Sequence, residues 1–378
     1  MMYLGFILLT LYLFLLLYVW IGVVKLKPFV LEKKNPKIAF SIVIPFRNEA
    51  EHLPQLVHSL KQLNYPHELF EVLFVDDASE DDSVFELSNA LKDCVFPFKI
   101  IRNKRVSASP KKDAITLAVA TAKNKWILTT DADCIVPKNW LHCFDAYIHK
   151  TNLHMVCGPV FYSSNGSFLQ NFQQFDGLSL QAVTIGGFGH KHEILCNGAN
   201  IAFKKETFNQ VNGYNGNNHI ASGDDIFLLE KFKLHIPNSV GFLKTKHALV
   251  TTQPEHTFNQ IINQRVRWAS KTTKQQNWIP KAIGLLVFAM NLYMALGWIY
   301  VFTDLKFLTF YLFVFLIKIL ADGFLIFSVG TSFRKKTVSS SSLFQFLISS
   351  FLYPISTVVV CILSLLGTYQ WKGRSFKT

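Results

Sequence analysis

Residues Met1 to Val24 carry no charged side chain and consist mainly of Leu, Tyr, Phe and Val. About 20 apolar residues cross a bilayer as a helix, which pairs its own backbone groups where no water can. A secretory leader has a charged start, a shorter apolar run and a small-residue cleavage site. This run starts uncharged and is long, so an anchor is expected. Lys25, Lys27, Lys33, Lys34 and Lys37 follow it, and the positive-inside rule puts them in the cytoplasm.

The far end repeats the theme. Apolar runs extend roughly from Ile283 to Phe302, from Phe307 to Phe327 and from Leu343 to Leu366. Asp304 and Lys306 lie in a very short connection, and Arg334, Lys335 and Lys336 in a basic one. A hairpin of two spans with basic residues at both cytoplasmic ends satisfies the rule. The last span then leaves the tail outside, against the mild counterweight of Lys372, Arg374 and Lys377; a re-entrant or interfacial last segment is the alternative. The expected organisation is an anchor at 1–24, a cytoplasmic domain at 36–280 and about three spans within 281–370. A chain of 378 residues, half of them hydrophobic, is long enough for one soluble core plus these spans.

The formal charge is +13, from 38 basic and 25 acidic residues. Many of the basic residues flank apolar segments, which points to a membrane surface. Without a zinc finger or RNA-binding motif, nucleic acid is not an expected partner. Cys94, Cys134, Cys143, Cys157, Cys196 and Cys361 form no C-x-x-C pair, so reduced structural thiols are expected.

Between the apolar ends the pattern is α/β. Ala39 to Pro45, Glu71 to Val75, Phe98 to Arg102 and Trp126 to Thr130 read as strands, the first two as short buried apolar runs. Glu51 to Leu63 and Lys112 to Lys123 read as helices. The alternation implies a mainly parallel sheet with ligands beyond the strand carboxyl ends. Neither G-x-G-x-x-G after the first strand nor a P-loop is present, so phosphate must be handled otherwise.

Asp76 and Asp77 end the second strand, and Asp131-Ala132-Asp133 the fourth. If strand geometry persists, Asp131 and Asp133 project to one face. Paired carboxylates there suit Mg2+ or Mn2+, which neutralises a diphosphate leaving group. A solvated turn, or helix capping by Ser79 or Asp81, is the structural alternative. Ser222-Gly223-Asp224-Asp225 precedes a helix-like run; its acids serve either the helix dipole or general-base catalysis. Gln264-Arg265-Val266-Arg267-Trp268 offers an arginine for diphosphate and an aromatic face for a sugar, or an interfacial helix.

In order, SIVIPFRNEA, VDDASEDDS, SPKKDAI, TTDADC, GDD and QRVRW resemble the inverting family 2 glycosyltransferases of GT-A fold, over roughly residues 38–270. The flanking spans resemble the membrane-bound branch, which includes polysaccharide synthases and ceramide glucosyltransferases. The resemblance implies a nucleotide-diphosphate sugar donor, read as a UDP-sugar. Pro45, Phe46, Glu49 and Asp77 would line the base site, with Asp76 beside them. Lys111, with Lys112 as the alternative, would approach the nucleotide. Asp131 would contact nucleotide and metal, and Asp133 the metal. Asp225 would be the base beside Asp224, and Gln264, Arg267 and Trp268 the acceptor or diphosphate motif. Pro110 in place of a glycine and Asp224 in place of a glutamate depart from the pattern. Cys196 to Asn200 falls where acceptor-side loops occur, and His190 and His192 stand at strand spacing. The acceptor is a growing glycan or a membrane lipid. The reading from another class is a non-catalytic scaffold or transporter subunit, for which Lys318 and Asp322 inside a span are the notable residues.

Overall fold

The computed structural model describes residues 1–32, 35–272, 274–301, 305–333, 340–365 and 367–377. Lys33, Lys34, Asp304 and the basic connection Arg334, Lys335 and Lys336 lie outside the described residues. The chain opens with α1 (Met2–Lys25). It then alternates through β1 (Phe40–Phe46), α2 (Leu53–Lys61), β2 (Phe70–Asp76), α3 (Ser83–Ala90), β3 (Phe98–Arg102), α4 (Pro110–Thr121) and β4 (Trp126–Thr129). Next come β5 (Cys134–Ile135), α5 (Trp140–Lys150), β6 (Met155–Cys157), β7 (Val160–Tyr162) and α6 (Phe168–Gly189). After these lie β8 (Ile201–Lys204), α7 (Lys205–Gln210), α8 (Asp224–His235), β9 (Val240–Phe242) and β10 (Val250–Thr252). The last stretch holds α9 (Phe258–Thr272), α10 (Trp278–Val301), α11 (Leu305–Phe333), α12 (Ser340–Leu365) and the hairpin β11 (Thr368–Trp371) and β12 (Arg374–Lys377).

Two compact units result. One comprises Lys27–Tyr162 and Leu195–Gln253. Its seven-stranded sheet has the order β3-β2-β1-β4-β8-β6-β9. β1 runs parallel to β2 and β4, β2 parallel to β3, and β8 antiparallel to β4 and β6. A smaller sheet orders β5-β10-β7. The central strands are buried along nearly their whole length: Ile42, Val43, Ile44, Val72, Leu73 and Phe74 are fully covered. Continuous apolar runs, with no alternation, are what a parallel sheet covered on both faces demands. α2 packs Leu53, Leu56, Val57 and Leu60 into the core at helical spacing. Exposed Phe98, Lys99, Ile100 and Arg102 mark β3 as the sheet edge, where charge discourages further pairing. Register aligns Phe46 with Asp76 and Asp76 with Arg102, so the carboxyl ends of β1, β2 and β3 fall in one row.

The other unit comprises Met1–Leu26, Ser163–Ile194 and Pro254–Thr378. Four of its helices, α1, α10, α11 and α12, are long and apolar enough to cross a membrane. The last apolar run is one continuous helix of 26 residues with Pro354 inside it. Lys318 and Asp322 form an ion pair at 2.7 Å within α11. The Tyr12 hydroxyl donates to the other oxygen of Asp322 at 2.8 Å, so the buried charges are satisfied from within the unit. His190 and His192 are not strand neighbours: α6 ends at Gly189, and both lie in the turn that follows it. Backbone bonds from His190, Lys191 and His192 back into the last turn of α6 produce that turn, and local alternation in sequence did not reveal them. All six cysteines are free, four of them buried.

Candidate active site

At the end of β1, Pro45 is half-buried and Phe46 buried. The chain then turns through Asn48, whose φ of 51° is left-handed, and Ala78 turns likewise after β2 with φ 55°. Left-handed non-glycine residues persist only where their surroundings hold them. Here Asn48 N–H donates to Ser79 Oγ at 3.1 Å, and its side-chain oxygen accepts from Glu80 N–H at 2.8 Å. Arg47 is buried and binds the carbonyls of Asp77 and Ala78 and the Glu80 carboxylate. Glu49 N–H donates to Ser83 Oγ at 2.7 Å, and its carboxylate meets His52 Nδ1 at 2.7 Å.

Asp76 Oδ1 accepts from Ser79 N–H at 2.9 Å. Asp77 is buried, and its Oδ1 accepts from Asn103 Nδ2 and Arg105 Nε, both at 2.8 Å. Asp81, not Ser79, takes the bond at the start of α3, accepting from Ser83 N–H at 3.0 Å. The two β-strand ends, the acids and their arginines thus form one interlocked rim. Arg47, Asn103 and Arg105 did not emerge from sequence, although each follows a strand end, where ligands bind in sheets of this kind.

The second cluster gathers residues far apart in sequence. β4 stops at Thr129, and Asp131 and Asp133 sit in the turn leading to β5. Strand geometry therefore does not persist through them, and their carboxylates have different partners. Asp131 Oδ1 binds Lys111 Nζ at 2.6 Å. Asp133 Oδ2 accepts from Thr252 Oγ1 at 3.0 Å, while its carbonyl accepts from Gln253 N–H at 3.2 Å. The turn closes because β10 pairs with β5 directly after it.

Lys111 also reaches Asp224 Oδ2 at 3.2 Å. Its ammonium therefore joins the D-x-D turn to the first turn of α8. Burial alone would lower its pKa, but the charges of Asp131, Asp224 and Asp225 outweigh burial and hold it above the usual lysine range. Gly223 caps α8 with φ 82°, a conformation glycine adopts without penalty. Asp224 and Asp225 then occupy the helix N-terminus, where negative charge is favoured, and Asp225 Oδ1 accepts from Ile226 N–H at 2.8 Å. Gly198 borders the cluster: a Cβ there would stand 2.7 Å from Asp224 Oδ2.

Lys112 points elsewhere. Its ammonium is buried and donates to the carbonyls of Asn217 and Ile220. The geometry thus separates two lysines that sequence left as alternatives. Within the Cys196 to Asn200 segment, Asn200 is fully buried. It donates to Pro159 O and Ala248 O and accepts from Trp140 Nε1 at 2.9 Å, a core role.

Gln264, Arg267 and Trp268 lie on α9 in the other unit. There Gln264 donates to Glu255 Oε1 at 2.9 Å and accepts from Arg265 Nη1 at 2.9 Å. Arg265 pairs with buried Asp176 at 2.5 Å and stacks over Trp268 at 4.2 Å. Tyr353 donates to the other Asp176 oxygen at 3.0 Å.

Asp131, Asp133 and Asp224 offer the hard oxygen donors that Mg2+ and Mn2+ prefer. A cation, the Lys111 ammonium, already bridges two of them. Their donor chemistry suits a divalent ion, while the three carboxylates do not converge as one three-ligand group among the described residues.

The profile of glycosyl transferase family 2 matches residues 41–212. Glycosyltransferase AglE of Haloferax volcanii is 21% identical over 263 residues, spanning 68% of this chain and 81% of that protein. The undecaprenyl-phosphate 4-deoxy-4-formamido-L-arabinose transferase of Pseudomonas savastanoi is 36% identical over 98 residues, which are 25% of this chain and 27% of that one. Among solved structures, the mannosyltransferase PcManGT of Pyrobaculum calidifontis in complex with GDP-Man and Mn2+ aligns over 96% of this chain and 98% of its own. The TM-score is 0.56 and the identity 15%, a likeness of fold.

Proposed function

Because residues 41–212 match the profile of glycosyl transferase family 2 and the described residues include four candidate membrane helices, we propose that the protein transfers a sugar from a nucleotide-diphosphate sugar to a hydroxyl of a glycan or lipid acceptor. The transferring region is 36–280, flanked by bilayer segments within 1–24 and 281–370 and facing the cytoplasm. The observation that carries this reading is the bridge of Lys111 between Asp131 and Asp224. It joins a D-x-D turn and a helix N-terminus beyond the carboxyl ends of a parallel sheet, where such folds bind nucleotides.

In the proposed reaction the donor's base lies against Pro45, Phe46, Glu49 and Asp77, with Asp76 shaping the adjoining turn. Lys111 turns its ammonium to the diphosphate. Asp131 and Asp133 would hold Mg2+ or Mn2+, which would supply charge neutralisation for the leaving diphosphate. By the resemblance, the base role goes to Asp225, beside Asp224. Asp225 takes the proton of the acceptor hydroxyl, whose oxygen attacks the anomeric carbon from the face opposite the leaving group, giving inversion. A positioned base of this kind contributes roughly 10²–10⁴-fold in rate. Gln264, Arg267 and Trp268 are assigned to acceptor and diphosphate by the resemblance alone.

The test is transfer from radiolabelled UDP- and GDP-sugars by purified protein with Mg2+ or Mn2+ and membrane lipids. A high-mass product identifies a glycan acceptor, and a single mobile lipid spot identifies transfer to lipid. Full transfer by both Asp133→Ala and Asp225→Asn would overturn the site. No transfer with any donor would favour a non-catalytic scaffold.

A further inference from the structure

The start of α8 is reached through residues 211–223, a run of short turns. Asn212 N–H bonds to Asn209 O, Asn215 N–H to Asn212 O, and Ile220 N–H to Asn217 O. Such turns do not by themselves fix where the segment ends. Its own polar side chains contribute little, since Asn217 Oδ1 and Ser222 Oγ are buried without hydrogen-bond partners among the described residues. Its first part is held from α8, where Lys231 Nζ donates to Gly213 O at 2.6 Å and Asn215 O at 2.7 Å, and its later part from the start of α4. Ser109 Oγ donates to Ala221 O at 3.0 Å. Lys112 Nζ donates to Asn217 O at 2.8 Å and to Ile220 O at 2.9 Å.

Lys112 is 1% exposed. Its ammonium stands 4.8 Å from the ring centroid of Phe227, which lies on α8 just past the two aspartates. Removing an ammonium from water is costly unless its hydrogen bonds are replaced, and an apolar side chain would fill the same space without that penalty. What the charge adds is a fixed position for two backbone carbonyls and two aromatic rings, the second being Tyr214 at 5.9 Å. We propose that Lys112 is a positioning residue: it fixes the 217–221 segment and the start of α8, and so sets where Asp225 emerges relative to Lys111. Consecutive lysines on one helical turn then divide the work, with Lys111 on the carboxylates and Lys112 on the backbone that delivers the base. The proposal rests on the transferase reading for the role of Asp225, but the clamp itself is read without activity.

The experiment uses the full chain in nanodiscs and compares wild type with Lys112→Met and with Lys205→Met. Lys205 also donates to a backbone carbonyl, that of Ala122 at 2.7 Å, and serves as the control. Hydrogen exchange followed by mass spectrometry is expected to rise at least tenfold in peptides covering 215–227 of Lys112→Met, with β1 and β2 unchanged and no local effect in Lys205→Met. In the transfer assay kcat is expected to fall at least tenfold, while affinity for UDP or GDP with Mn2+ changes less than threefold. Ethylammonium is expected to restore part of kcat to Lys112→Ala. Unchanged exchange at 215–227, or exchange raised throughout the unit, overturns the clamp. Raised local exchange with normal kcat overturns the positioning role. A wild-type protein without transfer activity refutes the function and leaves the clamp to be judged on exchange alone.

Discussion

Lys111 keeps its charge in a place where burial opposes it, because three carboxylates surround it. Lys111→Met leaves Asp131 and Asp224 facing one another without a cation. Breaking a buried pair costs about 3–5 kcal/mol. Asp131 is 34% exposed, so screening reduces the expected loss to about 1–2 kcal/mol. A divalent ion can refill that space, so millimolar Mn2+ should raise the Tm of Lys111→Met more than that of wild type. Equal shifts in calorimetry would show that the ion does not take the place of the ammonium. A second residue sets a pH dependence. Burial and the neighbouring charge of Lys204 lower the pKa of His154 below its usual value, with Glu206 opposing. The folded state then binds fewer protons than the unfolded chain, so stability is lost as pH falls from the ordinary imidazole value near 6.5 toward the folded value. His154 Nδ1 meets Thr207 Oγ1 at 2.8 Å, a bond Gln can replace without titrating. His154→Gln should therefore lose less Tm than wild type between pH 7 and pH 5; parallel curves would refute it.

At the scale of elements, α1 is more than a helix long and apolar enough to span. A Cβ on Gly22 would fall 2.2 Å from Gly186 O, and one on Gly189 would fall 1.9 Å from Gly22 O. The backbones of α1 and α6 therefore touch, the kind of approach that small residues permit between apolar helices. Tyr18 stacks on His190 at 3.9 Å and donates to or accepts from His192 Nδ1 at 2.9 Å. Gly22→Leu is expected to separate the pair. A disulfide between Tyr18→Cys and His190→Cys should form in the wild-type background and fail in Gly22→Leu; equal yields would show that the approach is not tight. None of this packing was legible in the sequence, because α6 mixes Gln, Asn and Asp with Phe and Leu and presents no clear stripe. The strands β1, β2 and β4 were legible, since a buried parallel strand must be a short apolar run. The acids at their ends were legible as a group, yet their partners were not. Thr252 meets Asp133 and Lys111 meets Asp224 only through β10 pairing and the placement of α8, which are long-range consequences of the fold.

At the scale of the whole molecule, the proposed side of the membrane rests on charge counted along the chain. Lys25, Lys27, Lys33, Lys34 and Lys37 follow the first apolar helix, and Arg334, Lys335 and Lys336 follow the third. Placing both clusters in the cytoplasm requires α1 to leave its amino end outside, α10 to run outward, α11 to return and α12 to exit. Asp304 and Lys306 then mark the outer connection, where the charge is balanced and opposes nothing. The price of this arrangement is an outer tail with Lys372, Arg374 and Lys377, fewer than the eight basic residues held inside. Nucleotide sugars are soluble anions that do not cross a bilayer unaided, so a transferase that uses them must face the compartment that makes them. The orientation and the proposed chemistry therefore stand or fall together. Single cysteines introduced at Asn35, Thr303 and Ser339 in a cysteine-free chain should separate the possibilities in sealed cells. A membrane-impermeant maleimide is expected to label Thr303→Cys and to spare Asn35→Cys and Ser339→Cys until the membrane is opened. Labelling at Asn35→Cys in sealed cells would place the acidic cluster outside, away from the nucleotide-sugar supply, and the proposed donor would then be untenable.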